Sequence, residues 1–155
     1  MKLTTKGRYA VTAMMDLALH AKIDKVTLSD IAERQKISAA YLEQLFSSLR
    51  KAGLIVSTRG AKGGYRLARA DKEISLADIL LAADEEIDMT CGGGKTCDEH
   101  KPCLTHSLWS NLSQEFFTFL HDKKLSDLIR SHYVQTMATQ QDVTQVGDIP
   151  ITFGG

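Results

Sequence analysis

The stretch from Thr27 to Leu67 constrains the fold more than any other part of the chain. Thr27 suits a helix N-cap, and Asp30 three residues on completes an approximate capping box. Leu28, Ile31 and Ala32 share one face, and the pattern predicts that this helix ends near Gln35. The short turn Lys36-Ile37-Ser38 follows, with Ser38 placed to cap a second helix. There Leu42, Leu45, Phe46 and Leu49 form the buried stripe, and Gly53 suits the position just past the end. The opposite face carries Ala40, Glu43, Gln44, Ser47 and Lys51, with Tyr41 on its flank. Two short helices joined by a tight turn read as a helix-turn-helix whose second member does the reading.

Two short β-prone runs come next, Leu54 to Ser57 and Tyr65 to Ala68, around the glycine-rich tip TRGAKGG. They predict a β-hairpin, and Arg59, Lys62 and Arg66 near its tip suit a wing on DNA. A helix in the major groove and an Arg-tipped hairpin at the neighbouring backbone or minor groove are compatible uses of these parts.

Upstream, Ala10, Ala13, Met14 and Leu17 recur at helical spacing and predict a first helix from about Thr5 to His20. Downstream, Ser75 and Asp78 frame a short helix, and the acidic run from Asp84 to Asp88 follows. A long helix is expected from about Pro102 to about His121. Its stripe of Leu104, Leu108, Leu112, Phe116 and Phe119/Leu120, widened by Trp109 and Phe117, is too broad for a lone projecting helix. Packing against a second copy in a homodimer is the simplest way to cover it. LSDLIRSHYV reads as one more short helix, and from Met137 on the absence of periodicity predicts a disordered tail.

The expected fold is therefore mainly α: a winged helix-turn-helix DNA-binding head with a small β-hairpin wing, plus a long dimerisation helix. The expected division is residues 1–70 for the head, 71–135 for the cysteine loop and dimerisation helix, and 136–155 for the tail. Charge follows the same division. Residues 1–70 carry a balance of +8 and residues 71–155 one of −8, which cancel to a net charge of zero. A basic head suggests a polyanionic partner. Winged helices also serve as protein-interaction modules, but the basic balance and the basic wing favour DNA. Glu43 on the reading face could accept from cytosine N4, or pair with Arg50 or Lys51. With no apolar run long enough to span a membrane and no secretory leader pattern, the cytoplasm is the expected compartment.

All three cysteines fall in CGGGKTCDEHKPCLTH, with the spacing C-x5-C-x5-C-x2-H over Cys91, Cys97, Cys103 and His106. An odd count in a reducing compartment argues against a disulfide framework. Cys103 and His106, three apart in an expected first helical turn, would leave one side together. The glycines Gly92 to Gly94 would let the loop fold around a centre carrying Cys91 and Cys97. Soft thiolates select zinc, copper(I) or iron–sulfur centres. The x5 gaps fit the tight C-x2–4-C pair of zinc sites poorly. Chemistry alone leaves an iron–sulfur cluster, a zinc ion and a metal-free loop open, with His100 as a competitor for the fourth ligand. A histidine among the ligands should make a cluster easier to lose, which suits a sensor.

GGGKT imitates the end of a P-loop, but Met89 stands where a glycine is required and no strand precedes it. Cys103 with His106 lacks the third, orienting group of a nucleophile–base pair. No enzyme activity is therefore expected. Two other readings stay open beside a cluster-sensing regulator. One is a winged-helix regulator with a structural zinc; the other is a cluster carrier or electron-transfer protein docking through its head.

The stretches LTTKGRYAVTAM, ISAAYLEQLFSSLRKAGL, RGAKGGYRL and CLTHSLW resemble the IscR family of bacterial iron–sulfur cluster regulators, over roughly residues 1–135. That resemblance implies a [2Fe-2S] cluster on Cys91, Cys97, Cys103 and His106. It implies DNA contacts from Ser38, Ala40, Tyr41, Glu43, Gln44, Ser47, Arg59 and Lys62, with Arg59 entering the minor groove. It also implies a homodimer on palindromic double-stranded DNA, loaded by the iron–sulfur assembly machinery. When loaded, such a dimer represses cluster-assembly genes, and loss of the cluster changes which promoters are bound. Relatives that sense nitric oxide space their cysteines differently. Ala40 stands where the family is expected to carry serine, which bears on fine sequence preference.

Overall fold

The computed structural model describes residues 3–21, 25–60, 63–90, 101 and 103–147, the side chains of 143–147 excepted. The elements are α1 (Thr5–His20), α2 (Leu28–Gln35), α3 (Ala39–Lys51), β1 (Ile55–Thr58), β2 (Gly64–Leu67), α4 (Leu76–Ala82), α5 (His106–Asp122), α6 (Leu125–Ile129) and α7 (His132–Gly147). One 3-10 turn, Asp71–Glu73, precedes α4.

Local chemistry sets most of the boundaries. At α2, Thr27 Oγ1 accepts from Asp30 N and Asp30 Oδ2 accepts from Thr27 N, both at 3.1 Å, a full capping box. Ser75 and Asp78 do the same for α4. Ser38 Oγ accepts from Tyr41 N at the head of α3. Lys36, in the left-handed region at φ 56°, turns the chain from α2 into α3. Gly53, at φ 76°, ends α3 in a conformation that a side chain would strain. The hairpin is antiparallel, pairing Ile55 with Leu67 and Thr58 with Gly64. A bridge from Val26 to Tyr65 ties the residue before the α2 cap to β2.

Each of these elements presents its apolar face to a shared core. Ala10, Met14 and Leu17 of α1, Ile31 of α2, and Leu42, Leu45, Phe46 and Leu49 of α3 are buried together with Ile55. Phe46 also meets the Tyr65 ring edge-on at 4.8 Å, which fixes the base of the wing to α3. The same cluster takes in Ile74, Ile79 and Ala83 around α4 and Leu125 and Ile129 of α6. The core thus crosses residue 70 without a break. A satellite cluster of Ala77, Leu80, Ile87 and Leu120, with Phe116 against it, seats α5 on α4.

Two expectations change. α5 begins at His106, not near Pro102, because the chain before it forms a turn closed by His106 N donating to the Cys103 carbonyl at 3.1 Å. Residues 132–147 form α7, where LSDLIRSHYV was expected to be one helix and the sequence beyond it unstructured. Ser131, between α6 and α7, accepts from Val134 N, and α7 is held less by an apolar stripe than by polar contacts. Its Gln141 exchanges amide hydrogen bonds with Gln35 at 2.9 and 3.2 Å, and its Asp142 accepts from His20.

Candidate functional site

The reading face stands as the capped α3 dictates. Ser38, Ala40, Glu43 and Gln44 are exposed, while Tyr41 and Ser47 are partly buried at its edges. Among the described residues Glu43 forms no ion pair with Arg50 or Lys51. Tyr41 is set from behind: the Tyr9 ring of α1 meets it edge-on at 5.6 Å and 86°. Arg59 is exposed beyond the end of β1, and Lys62 lies outside the described residues. The structure therefore brings Ala40, Glu43 and Gln44 onto one solvent-facing surface of a helix whose back is locked into the core.

That scaffold is braced by a buried charge cluster that sequence reasoning missed. Asp16, 1% exposed, accepts from Arg34 Nε at 2.9 Å, Arg34 Nη2 at 2.7 Å and Gln35 Nε2 at 2.7 Å. His20 Nδ1 lies 2.8 Å from the Asp16 carbonyl oxygen, and His20 Nε2 lies 2.9 Å from Asp142 Oδ1. Burial alone would push the Asp16 carboxyl up, but hydrogen bonds from Arg34, His20 and Gln35 outweigh it and hold it at about 2. The Asp16 carboxylate, 3.4 Å from His20 Nδ1, raises His20 to about 9, against the opposing effect of burial. Asp16 and Arg34 sit in otherwise ordinary helix patterns, 18 residues apart, so only the α1–α2 crossing reveals the pair. His20 links α1 to α7.

On the cysteine loop, Cys91 and Cys97 lie outside the described residues, as does His100. Among the described residues no three His, Cys, Asp or Glu side chains assemble into a metal site. Cys103 and His106 are brought together, though by a turn and not by a shared helix: His106 N donates to the Cys103 carbonyl at 3.1 Å. Cys103 Sγ lies 3.7 Å from Thr105 Oγ1. His106 Nδ1 is buried and has no hydrogen-bond partner, and among the described residues no other buried side-chain nitrogen or oxygen is left so. An unsatisfied imidazole nitrogen in that position costs roughly 1–3 kcal/mol. A metal centre that also takes the adjacent thiolate would satisfy it, so the donor set fits a cluster.

Beyond the loop, Leu108 is 57% exposed and Phe119 55% exposed, and Trp109, Leu112 and Phe117 are also open along α5. Leu120 is buried and Phe116 partly so on the side facing α4. Part of the expected stripe therefore seats the helix, and the rest is uncovered apolar surface. Among the described residues no helix is long and apolar enough to cross a membrane.

Comparison with known proteins agrees in fold and sequence. The IscR transcriptional regulator of Vibrio atlanticus is 50% identical over 144 residues, covering 92% of this chain and 83% of its own. That of Aliivibrio salmonicida is 51% identical over 144 residues, covering 92% of this chain and 86% of its own. The T. potens IscR structure superposes with a TM-score of 0.69 at 38% identity, covering 84% of this chain and 87% of its own. The cysteine regulator CymR of B. subtilis superposes at 0.71 with 34% identity, covering 83% of this chain and 95% of its own. These relatives are transcriptional regulators, not enzymes. A family model described as an iron-dependent transcriptional regulator matches residues 3–131, and the chain belongs to that family, Rrf2, as a winged-helix regulator of the IscR type.

Proposed function

We propose that this regulator senses iron–sulfur cluster status through a [2Fe-2S] cluster on Cys91, Cys97, Cys103 and His106, and represses cluster-assembly genes when loaded. The observation that carries the reading is the buried, partnerless Nδ1 of His106 beside Cys103, in a chain whose other end is a winged helix. When bound, the cluster would supply a labile iron centre whose presence reports on the cell's assembly capacity. The chain's own residues do the rest. Cys103 and His106 fix one edge of the loop to the start of α5, and Thr105 orients that turn through Trp109.

Residues 1–70 act as the DNA-binding head. Ser38, Ala40, Tyr41, Glu43, Gln44 and Ser47 meet base edges and backbone in a major groove, Arg59 enters the neighbouring minor groove, and Lys62 adds a further wing contact to DNA. The exposed face of α5 packs on a second copy, which makes the target a palindrome with two half-sites. The protein works in the cytoplasm, where the assembly machinery loads it. The experiment is anaerobic purification followed by visible absorption. Reddish-brown protein whose bands vanish in Cys97→Ala supports the reading. Colourless protein with stoichiometric zinc overturns it in favour of a structural site. Absence of salt-dependent binding to any palindromic duplex would instead point to a cluster carrier.

A further inference from the structure

Glu85 sits in the run Asp84-Glu85-Glu86, which sequence reading treats as an acidic connector, yet it is only 6% exposed. Its Oε1 accepts from Thr4 N at 3.1 Å, from Gly7 N at 3.0 Å and from the Thr4 hydroxyl. The carboxylate shares this helix start with the Thr4 cap, whose Oγ1 also accepts from Gly7 N at 3.2 Å, and it satisfies the Thr4 N–H, which α1 cannot. Gly7 is needed for the fit, because a Cβ at that position would collide with the Glu85 carboxylate. Lys6 and Asp84 pair beside it at 2.7 Å.

The connector is fastened at its other end too. Ile87 is buried against Ala77, Leu80 and Leu120, and Met89 N donates to Ser113 Oγ at 2.7 Å. Ser113 Oγ donates in turn to the Trp109 carbonyl, and Trp109 Nε1 reaches Thr105 beside Cys103. Both flanks of the cysteine loop therefore converge on one turn of α5. From there seven residues of backbone, 84–90, lead to the first turn of α1. Two residues past Gly7, Tyr9 braces Tyr41 on the flank of the reading helix.

We propose that Glu85 is the positioning residue that carries the state of the cysteine loop to the reading face, through the first turn of α1 and the Tyr9–Tyr41 contact. The inference rests on the reading of Cys91–His106 as a cluster site. A loaded loop holds residues 84–90 taut and keeps Glu85 seated. An empty loop releases that segment, Glu85 withdraws, the first turn of α1 frays and the Tyr9 edge shifts against Tyr41. Coupling of this kind needs an element with two settings that both sites bias, and a helix start where one inserted carboxylate joins the Thr4 cap is such an element.

The test uses full-length wild-type, Glu85→Gln and Glu85→Ala proteins, each in cluster-loaded and cluster-free form. The probe is a duplex selected from a random-sequence library by the loaded wild-type protein. Coupling between sites in proteins spans roughly 5–150-fold. Wild type should show a loaded-to-free affinity ratio in that range, with the Gly7 amide exchanging more slowly when loaded. In both variants the visible spectrum persists, while the ratio falls to within about twofold of one and Gly7 exchange no longer responds to loading. Should Glu85→Ala not fold, the near-isosteric Glu85→Gln decides. A folded variant that keeps both the wild-type ratio and the loading-dependent exchange makes Glu85 a simple cap and overturns the inference alone. A wild-type ratio of one overturns it as well. A colourless wild-type protein removes the cluster reading and this inference with it, a result separate from the other two.

Discussion

His20 binds α7 to the back of the reading scaffold, and its geometry fixes its charge. Nδ1 faces the Asp16 carbonyl and Nε2 faces the Asp142 carboxylate, at 2.8 and 2.9 Å. Both partners only accept, so both ring nitrogens donate and the ring is an imidazolium. Its pKa rises from the ordinary 6.5 to about 9. At about 1.4 kcal/mol per factor of ten, that gap corresponds to about 3 kcal/mol, and the partial exposure of the ring brings it nearer to about 2. The sign follows from the direction. A group whose folded pKa is raised contributes all of its stability below the unfolded value of 6.5 and loses it as pH rises through about 9. Asp16, held at about 2, stays ionised across this window and adds no slope. Urea unfolding of the cluster-free protein at constant ionic strength should show a loss of about 2–3 kcal/mol between about pH 6 and pH 9.5. His20→Gln should flatten the profile. A wild-type stability that does not change between the two pH values, or an equal slope in His20→Gln, refutes the assignment of the charge.

Three further outcomes are expected. Asp16→Asn strands the Arg34 guanidinium, whose side chain is only 7% exposed, and should cost about 3–5 kcal/mol in denaturant unfolding. Arg59→Ala should weaken duplex binding by about 1–3 kcal/mol while the visible spectrum of loaded protein is unchanged; equal affinity would remove the wing from the interface. In the proposed homodimer, Leu108→Asp on the open face of α5 should leave only monomer in sedimentation with the helical content intact, since it buries an unpaired carboxylate only in the assembled pair.

Periodicity and capping explain why so much of the head was legible. Thr27 with Asp30, Ser38 with Tyr41 N, and Ser75 with Asp78 are local devices spanning three residues, and each starts a helix where the sequence places it. The wing is equally local, because its turn and its pairing lie within the thirteen residues from Ile55 to Leu67. Legibility fails where a side chain has two possible employers. Thr105 was expected inside a helical turn, but Trp109 and Cys103 engage its hydroxyl. α7 lacks an apolar period because Gln141 and Asp142 hold it to Gln35 and His20, partners more than a hundred residues distant. Of the acidic residues in the connector, nothing one-dimensional marks Glu85 as the one that turns inward; only the empty Cβ position of Gly7 does. In the cysteine loop, the spacing draws attention to Cys103 and His106, and the partnerless Nδ1 adds what spacing cannot.

The core shared between the early helices and α6 has a consequence for how the protein is made. Leu125 and Ile129 close the same apolar cluster as Ala10, Leu17 and Phe46, and Gln35 waits for Gln141 across 106 residues. At roughly 5–20 residues per second, the ribosome leaves that gap open for roughly 5–20 s. Throughout that interval the nascent head carries an exposed apolar seam, the kind of surface that chaperones hold. A nonsense codon upstream of Leu125 should therefore yield an unfolded chain for proteolysis, not a partial regulator that occupies DNA. Truncation alleles of this gene should behave as recessive losses of function, and dominant interference should be confined to full-length chains with an altered α3.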